Sequence, residues 1–153
     1  MASAFIQYQN GKGFNIAEEF MQLMIYYIHK ELEKPQYAFI NKNLFIMGHE
    51  GIINGISSGY LTLPWKRILV STEEEQTMIQ ILQNVKITLQ NKGAFISVSE
   101  LQSIQTNDKD FKHLYSRNPF PVAELIKIIE VLIQMLQGTW ASNNYDMDVN
   151  YKY

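Results

Sequence analysis

Residues 121–138 read PVAELIKIIEVLIQMLQG, and their spacing decides the fold class. Val122, Leu125, Ile126, Ile128, Ile129, Val131, Leu132, Ile133, Met135 and Leu136 are apolar. The polar positions Glu124, Lys127, Glu130, Gln134 and Gln137 recur every three or four residues. A helix with so narrow a wet stripe is expected at the centre of an α-helical core. Pro121 suits its first turn, after a loop at 118–121, and Gly138 its stop.

Working outward, residues 72–93 predict a second helix. Thr72 reads as its cap, Glu75 as the capping-box partner, and Gly93 as its end. Met78, Ile81, Leu82, Val85 and Leu89 form its apolar face. Residues 95–117 predict one or two short helices, with Ser97 and Glu100 as a cap pair. An earlier helix is read from Asn15, as cap, with Glu18 three residues on, to about Lys34 before Pro35. Ile16, Phe20, Leu23, Met24, Tyr27, Ile28 and Leu32 line its apolar face, and Glu19, Gln22, Tyr26, His29, Lys30 and Glu33 its wet stripe.

Residues 36–63 fit either a buried helix or a pair of strands. Gly48, Gly51, Gly55 and Gly59 recur at helical intervals. Each glycine within a helix costs roughly 1 kcal/mol against alanine, so a tight contact must compensate. The reading is a glycine-bearing helix packed closely on a neighbour, broken at Pro64. Residues 4–9 predict a short strand closed by Asn10-Gly11-Lys12-Gly13. The tail from Tyr145 to Tyr153 alternates with period two, a strand signal. It either pairs with residues 4–9 or stays exposed to bind a partner. The expected class is mainly α: a single-domain helical bundle over 1–153, with a small two-stranded sheet from the termini as an option.

Formal net charge is −2, which is unlike the basic footprint of a nucleic-acid binder or a polybasic membrane anchor. There is no cysteine, so no disulfide scaffold and no thiolate chemistry is expected, in keeping with a cytoplasmic protein. The first ten residues lack a basic region and a long apolar run, so no signal peptide is expected.

The chemical toolkit is sparse. His49-Glu50 invites comparison with a metalloprotease helix, but that chemistry needs a second histidine four residues on, and position 53 is Ile53. His29 and His113 read as solvated. Asp146 and Asp148 lack the further oxygen ligands and turn glycine of a calcium loop. No catalytic residue, cofactor or metal is expected. Glu73, Glu74 and Glu75 first complement a helix dipole, and second offer an acidic patch to a basic partner. Trp65-Lys66-Arg67 reads first as a core tryptophan with two solvated neighbours, and second as a stacking surface.

The capped Ser71-Thr72-Glu73-Glu74-Glu75 helix, the Pro-led apolar helix at 121–137 and the Trp140…Tyr145-Asp146-Met147-Asp148 tail give a chain that resembles the immunity proteins of bacterial polymorphic-toxin and contact-dependent growth-inhibition systems. The resemblance implies a cytosolic, non-enzymatic protein that binds one toxin domain and blocks its active site. Many such toxins are nucleases or other basic enzymes, for which an acidic inhibitor surface aids association. On this reading Glu73, Glu74, Asp146 and Asp148 meet a basic partner, while Trp65, Tyr145 and Tyr151 supply contact area. The tail after Trp140 is then expected to be dispensable for folding. Two alternatives stand beside it: a helical adaptor that oligomerises, and an enzyme using His49 and Glu50.

Overall fold

The computed structural model describes residues 2–55 and 61–153. The chain opens with β1 (Ser3–Gln7) and β2 (Gly13–Ala17), a hairpin turned by Asn10 and Gly11 at positive φ. Gly13 is required here, because a Cβ on it would lie 1.9 Å from the carbonyl oxygen of Ile6. Then come α1 (Glu18–Leu32), α2 (Lys42–Ile53), α3 (Trp65–Ile68) and α4 (Thr72–Gln90). A short strand β3 (Phe95–Ile96) leads to α5 (Val98–Ser103) and α6 (Lys109–Leu114). The chain ends through β4 (Phe120–Pro121), α7 (Val122–Gln137) and β5 (Tyr145–Asp146).

The described residues are therefore mixed α/β rather than purely helical. One sheet has the order β1-β2-β5, and a second joins β3 to β4. The tail pairs, but not with residues 4–9: β5 runs parallel to β2, with Phe14 opposite Tyr145 and Asn15 opposite Asp146. The difference traces to residues 13–17. Ile16 fits a helical face, but Phe14 and Ile16 alternate inward as a strand, paired antiparallel with β1. Asn15 is thus no helix cap. The first turn of α1 is entered from Ala17, and Glu18 N–H donates to the Ala2 carbonyl at 2.9 Å.

The central helix is α1, and α7 forms a wall. Besides its apolar residues, α1 buries Glu18, Gln22, His29 and Glu31, so two members of its expected wet stripe, Gln22 and His29, are internal. α2 covers that side, and Gln22 Nε2 donates to the Ile52 carbonyl at 3.1 Å and to Asp108 Oδ2 at 3.0 Å. α7 keeps Glu130, Gln134 and Gln137 exposed while packing Leu125, Ile128, Ile129 and Leu132 inward, with α4 against it. Its stop is as expected, Gly138 at φ 77°. Phe120 and Pro121, expected in a loop, form β4 against Ile96 and Phe95.

α2 is the glycine-bearing helix, shorter than the 36–63 window. A Cβ on Gly48 would stand 3.2 Å from Pro64 Cγ, which is the close contact its glycine requires. Gly55 follows the helix at φ 90°, and Gly59 lies outside the described residues. The cap of α4 sits one residue earlier than expected: Ser71 Oγ accepts from Glu74 N–H at 3.2 Å. The Ser97–Glu100 pair caps α5 as expected, at 3.1 Å. Among the described residues no helix is long and apolar enough to cross a membrane.

Candidate protein-binding surface

Trp65 and His49 are fully buried and bonded to each other, the indole N–H donating to His49 Nε2 at 3.2 Å. Trp65 is a core residue and offers no contact area to a partner. His49 also meets the rings of Phe45 and His29, with centroids 5.4 and 6.0 Å away. Burial, and then the neighbouring His29, push the His49 imidazole down to about 3. Its Nδ1 and that of His29 have no hydrogen-bond partner among the described residues. Glu50 is exposed while His49 is interior, so the helix does not bring these two together in one site. His29 is buried as well, correcting the solvated reading; its Nε2 lies 2.6 Å from Glu33 Oε1.

The three glutamates of α4 have separate fates. Glu73 is exposed. Glu74 is buried, and its carboxylate accepts from the backbone N–H of Ile40 at 2.9 Å and of Val70 at 3.2 Å. It joins segments within the fold and cannot meet a partner. Glu75 accepts from the Tyr8 hydroxyl at 2.7 Å.

The tail is a strap rather than a free arm. Tyr145 is exposed and stands edge-on to Trp140, whose indole N–H donates to the Gly13 carbonyl at 2.8 Å. Asp146 is exposed and accepts from Asn15 Nδ2 at 3.1 Å. Asp148 is exposed, with its carbonyl held by Lys127 Nζ. Met147 and Tyr151 turn inward. The Tyr151 ring lies 4.9 Å from that of Phe120, and its hydroxyl donates to the Asn118 carbonyl at 2.8 Å. Tyr151 is thus internal, and a tail so anchored is part of the fold.

Of the sequence-derived candidates, Glu73, Tyr145, Asp146 and Asp148 remain at the surface. A stronger acidic feature went unread. Glu18, Glu19, Asp108 and Asp110, with Gln22 and a single cation, Lys109, wall an open hollow of about 290 Å³ where the start of α1 meets the start of α6. Glu19 and Asp110 also line the adjoining hollow with His113, Arg117 and Tyr153. Asp108 is committed, since its Oδ1 caps α6 at Asp110 and Phe111 N–H. Glu19 is different: its Oε2 is closed off from solvent without a hydrogen-bond partner among the described residues. Burial holds its carboxyl above the ordinary value. Such a group gains from a cation brought alongside it. Glu18 reads as a helix start and Glu19 and Gln22 as a wet stripe, Asp108 and Asp110 fall within a segment read only as short helices, and nothing in the sequence joins positions 19 and 110.

Among the described residues no three metal-ligating side chains come together. No family model, no curated protein and no solved structure matches this chain.

Proposed function

We propose that this chain is a toxin-neutralising binding protein of the immunity kind, acting in the cytosol by covering the active site of one basic toxin domain. The observation that carries the reading is the half-closed carboxylate of Glu19 in a hollow it shares with Glu18, Asp108 and Asp110. An arginine or lysine from the partner, seated in the hollow, offsets the cost of its excess negative charge. Glu73, Asp146 and Asp148 add exposed acidic groups that steer a basic partner during encounter. The buried, neutral His49 supports a binding role over a catalytic one that would use it with Glu50.

The test is co-expression with the toxin domain encoded beside this chain. Protection of the host, co-purification as a one-to-one complex, and loss of both with Asp110→Lys are expected. Full toxicity in the presence of the folded protein sinks the proposal. The adaptor reading is favoured by a separate observation, the exposed apolar side chains of Leu44 and Met47 on α2.

A further inference from the structure

The chain holds two Asn-Gly pairs, Asn10-Gly11 and Asn54-Gly55. In such a pair the glycine amide nitrogen can attack the asparagine side-chain Cγ, because no Cβ on the second residue hinders ring closure. The nitrogen–Cγ bond forms and the Cγ–Nδ2 bond breaks. The leaving group takes up the glycine's proton and departs as ammonia. Water then opens the five-membered imide at either carbonyl, giving aspartate or iso-aspartate. The reaction needs no reagent but water, and it needs both reacting groups free.

The two pairs differ in that respect. The Asn54 side chain is fastened: its Nδ2 donates to the Glu50 carbonyl at 3.0 Å, and its Oδ1 accepts from the Asn107 N–H at 3.2 Å. The attacking nitrogen is engaged as well, with the Gly55 N–H donating to the Ile52 carbonyl at 3.2 Å. Gly55 is also crowded, since a Cβ on it would lie 2.9 Å from Asp108 Oδ2. Attack there has to break each of these bonds and work against a packed neighbour.

Asn10 and Gly11 are exposed at the tip of the β1–β2 hairpin, at φ 55° and 67°. Among the described residues neither the Asn10 side-chain amide nor the Gly11 N–H has a hydrogen-bond partner. No atom stands within 4 Å of where a Cβ on Gly11 would be. The turn is closed by the Lys12 N–H donating to the Gln9 carbonyl at 3.0 Å. The rotation that brings Cγ over the Gly11 nitrogen therefore opens a surface turn and leaves the core alone. The pair has a structural reason to stand here, because Asn-Gly is favoured in a two-residue turn with both φ positive. The same turn leaves its reactive groups unguarded.

We infer that Asn10 is a self-modification site, which deamidates through an imide with Gly11 in the folded protein, while the fold protects Asn54. The product places a carboxylate in the hollow that Asn10 shares with Lys12 and Glu75, and takes the formal net charge one unit below −2. The site is separate from the acidic hollow, so the inference stands apart from toxin binding.

The test holds the purified full chain warm at mildly alkaline pH, folded and in denaturant, and maps the products by peptide mass spectrometry. The folded chain should yield a more acidic species by ion exchange. Its amide-to-acid mass gain should fall on Asn10, as both aspartate and iso-aspartate. In denaturant Asn10 and Asn54 should both convert, whereas folding should slow Asn54 by at least ~10-fold. Asn10→Gly keeps the positive φ without the amide, and should stay a single species when folded. The inference is overturned by a folded chain that keeps Asn10 intact while the denatured chain converts it. It is overturned equally by folded Asn54 converting as fast as Asn10, or by an acidic species undiminished in Asn10→Gly.

Discussion

The indole N–H of Trp65 donates to His49 Nε2 at 3.2 Å, and both rings are without solvent contact. The bond leaves His49 as the neutral tautomer with its proton on Nδ1, and that N–H has no partner among the described residues. Protonation adds a buried charge beside Phe45 and His29, against a donor that can no longer donate.

Stability is therefore expected to fall in acid. The native His49 value is lowered to about 3, while the unfolded histidine keeps its ordinary value near 6.5. Between those values the unfolded chain binds more protons, so stability rises with pH. The contribution is complete above about 6.5 and is lost toward 3, at about 1.4 kcal/mol per pH unit. Denaturant melts across that window should show the slope, and His49→Phe should flatten it. An equally steep slope in the variant assigns the acid sensitivity elsewhere.

The core should respond at α1 as strongly as at α7. Ile28 and Leu132 are both fully buried, so Ile28→Ala and Leu132→Ala should each cost roughly 2–5 kcal/mol. A loss under about 1 kcal/mol at Ile28 would mean that α1 is peripheral, against the packing described.

Truncation after Trp140 should unfold or strongly destabilise the protein. It removes Met147 and Tyr151 from the interior, the β5 edge from β2, and the Glu124 carboxylate's bond to Asn150 N–H at 2.6 Å. Tyr151→Phe is the finer probe and should cost about 1 kcal/mol through the lost hydroxyl bond to Asn118. A truncated chain that melts at the wild-type temperature contradicts this.

Gly13→Ala should cost at least ~2 kcal/mol, because the new methyl would sit 1.9 Å from the Ile6 carbonyl oxygen and the hairpin must open to admit it. Gly51→Ala, on the open face of α2, is the matched control. Equal melting temperatures for the two variants would remove the steric case.

Helix stops and caps were legible where one residue decides them: Gly138 at positive φ, and Ser97 with Glu100. Residues 13–17 were misread because Ile16 satisfies both a period of two and the first turn of a helix. The choice is made by β1 and β5, which flank that segment in space. The burial of Gln22 and His29 was hidden for a similar reason. A polar residue reads as solvated until its partners are known, and those of Gln22 lie 30 and 86 positions away. The acidic hollow was illegible altogether, since Glu19 and Asp110 meet only once α1 and α6 are placed.

Glu19 should show opposite effects on stability and on binding. Its carboxyl is raised above the ordinary value by burial, so the fold favours the protonated form. By linkage, a carboxyl with a raised native value favours the fold at low pH and loses that contribution as pH rises through it. At neutral pH its charge is thus a burden, made worse by a closed-off Oε2 without a partner. Glu19→Gln removes the charge while keeping the shape, so the free protein should melt at or slightly above the wild-type temperature. If the hollow receives a basic side chain, the same change should weaken the complex by roughly tenfold or more and reduce its dependence on salt. A structural carboxylate predicts the reverse, with stability lost and binding kept. Melting curves of the free variant, set beside titrations of its complex at two ionic strengths, separate the two cases directly.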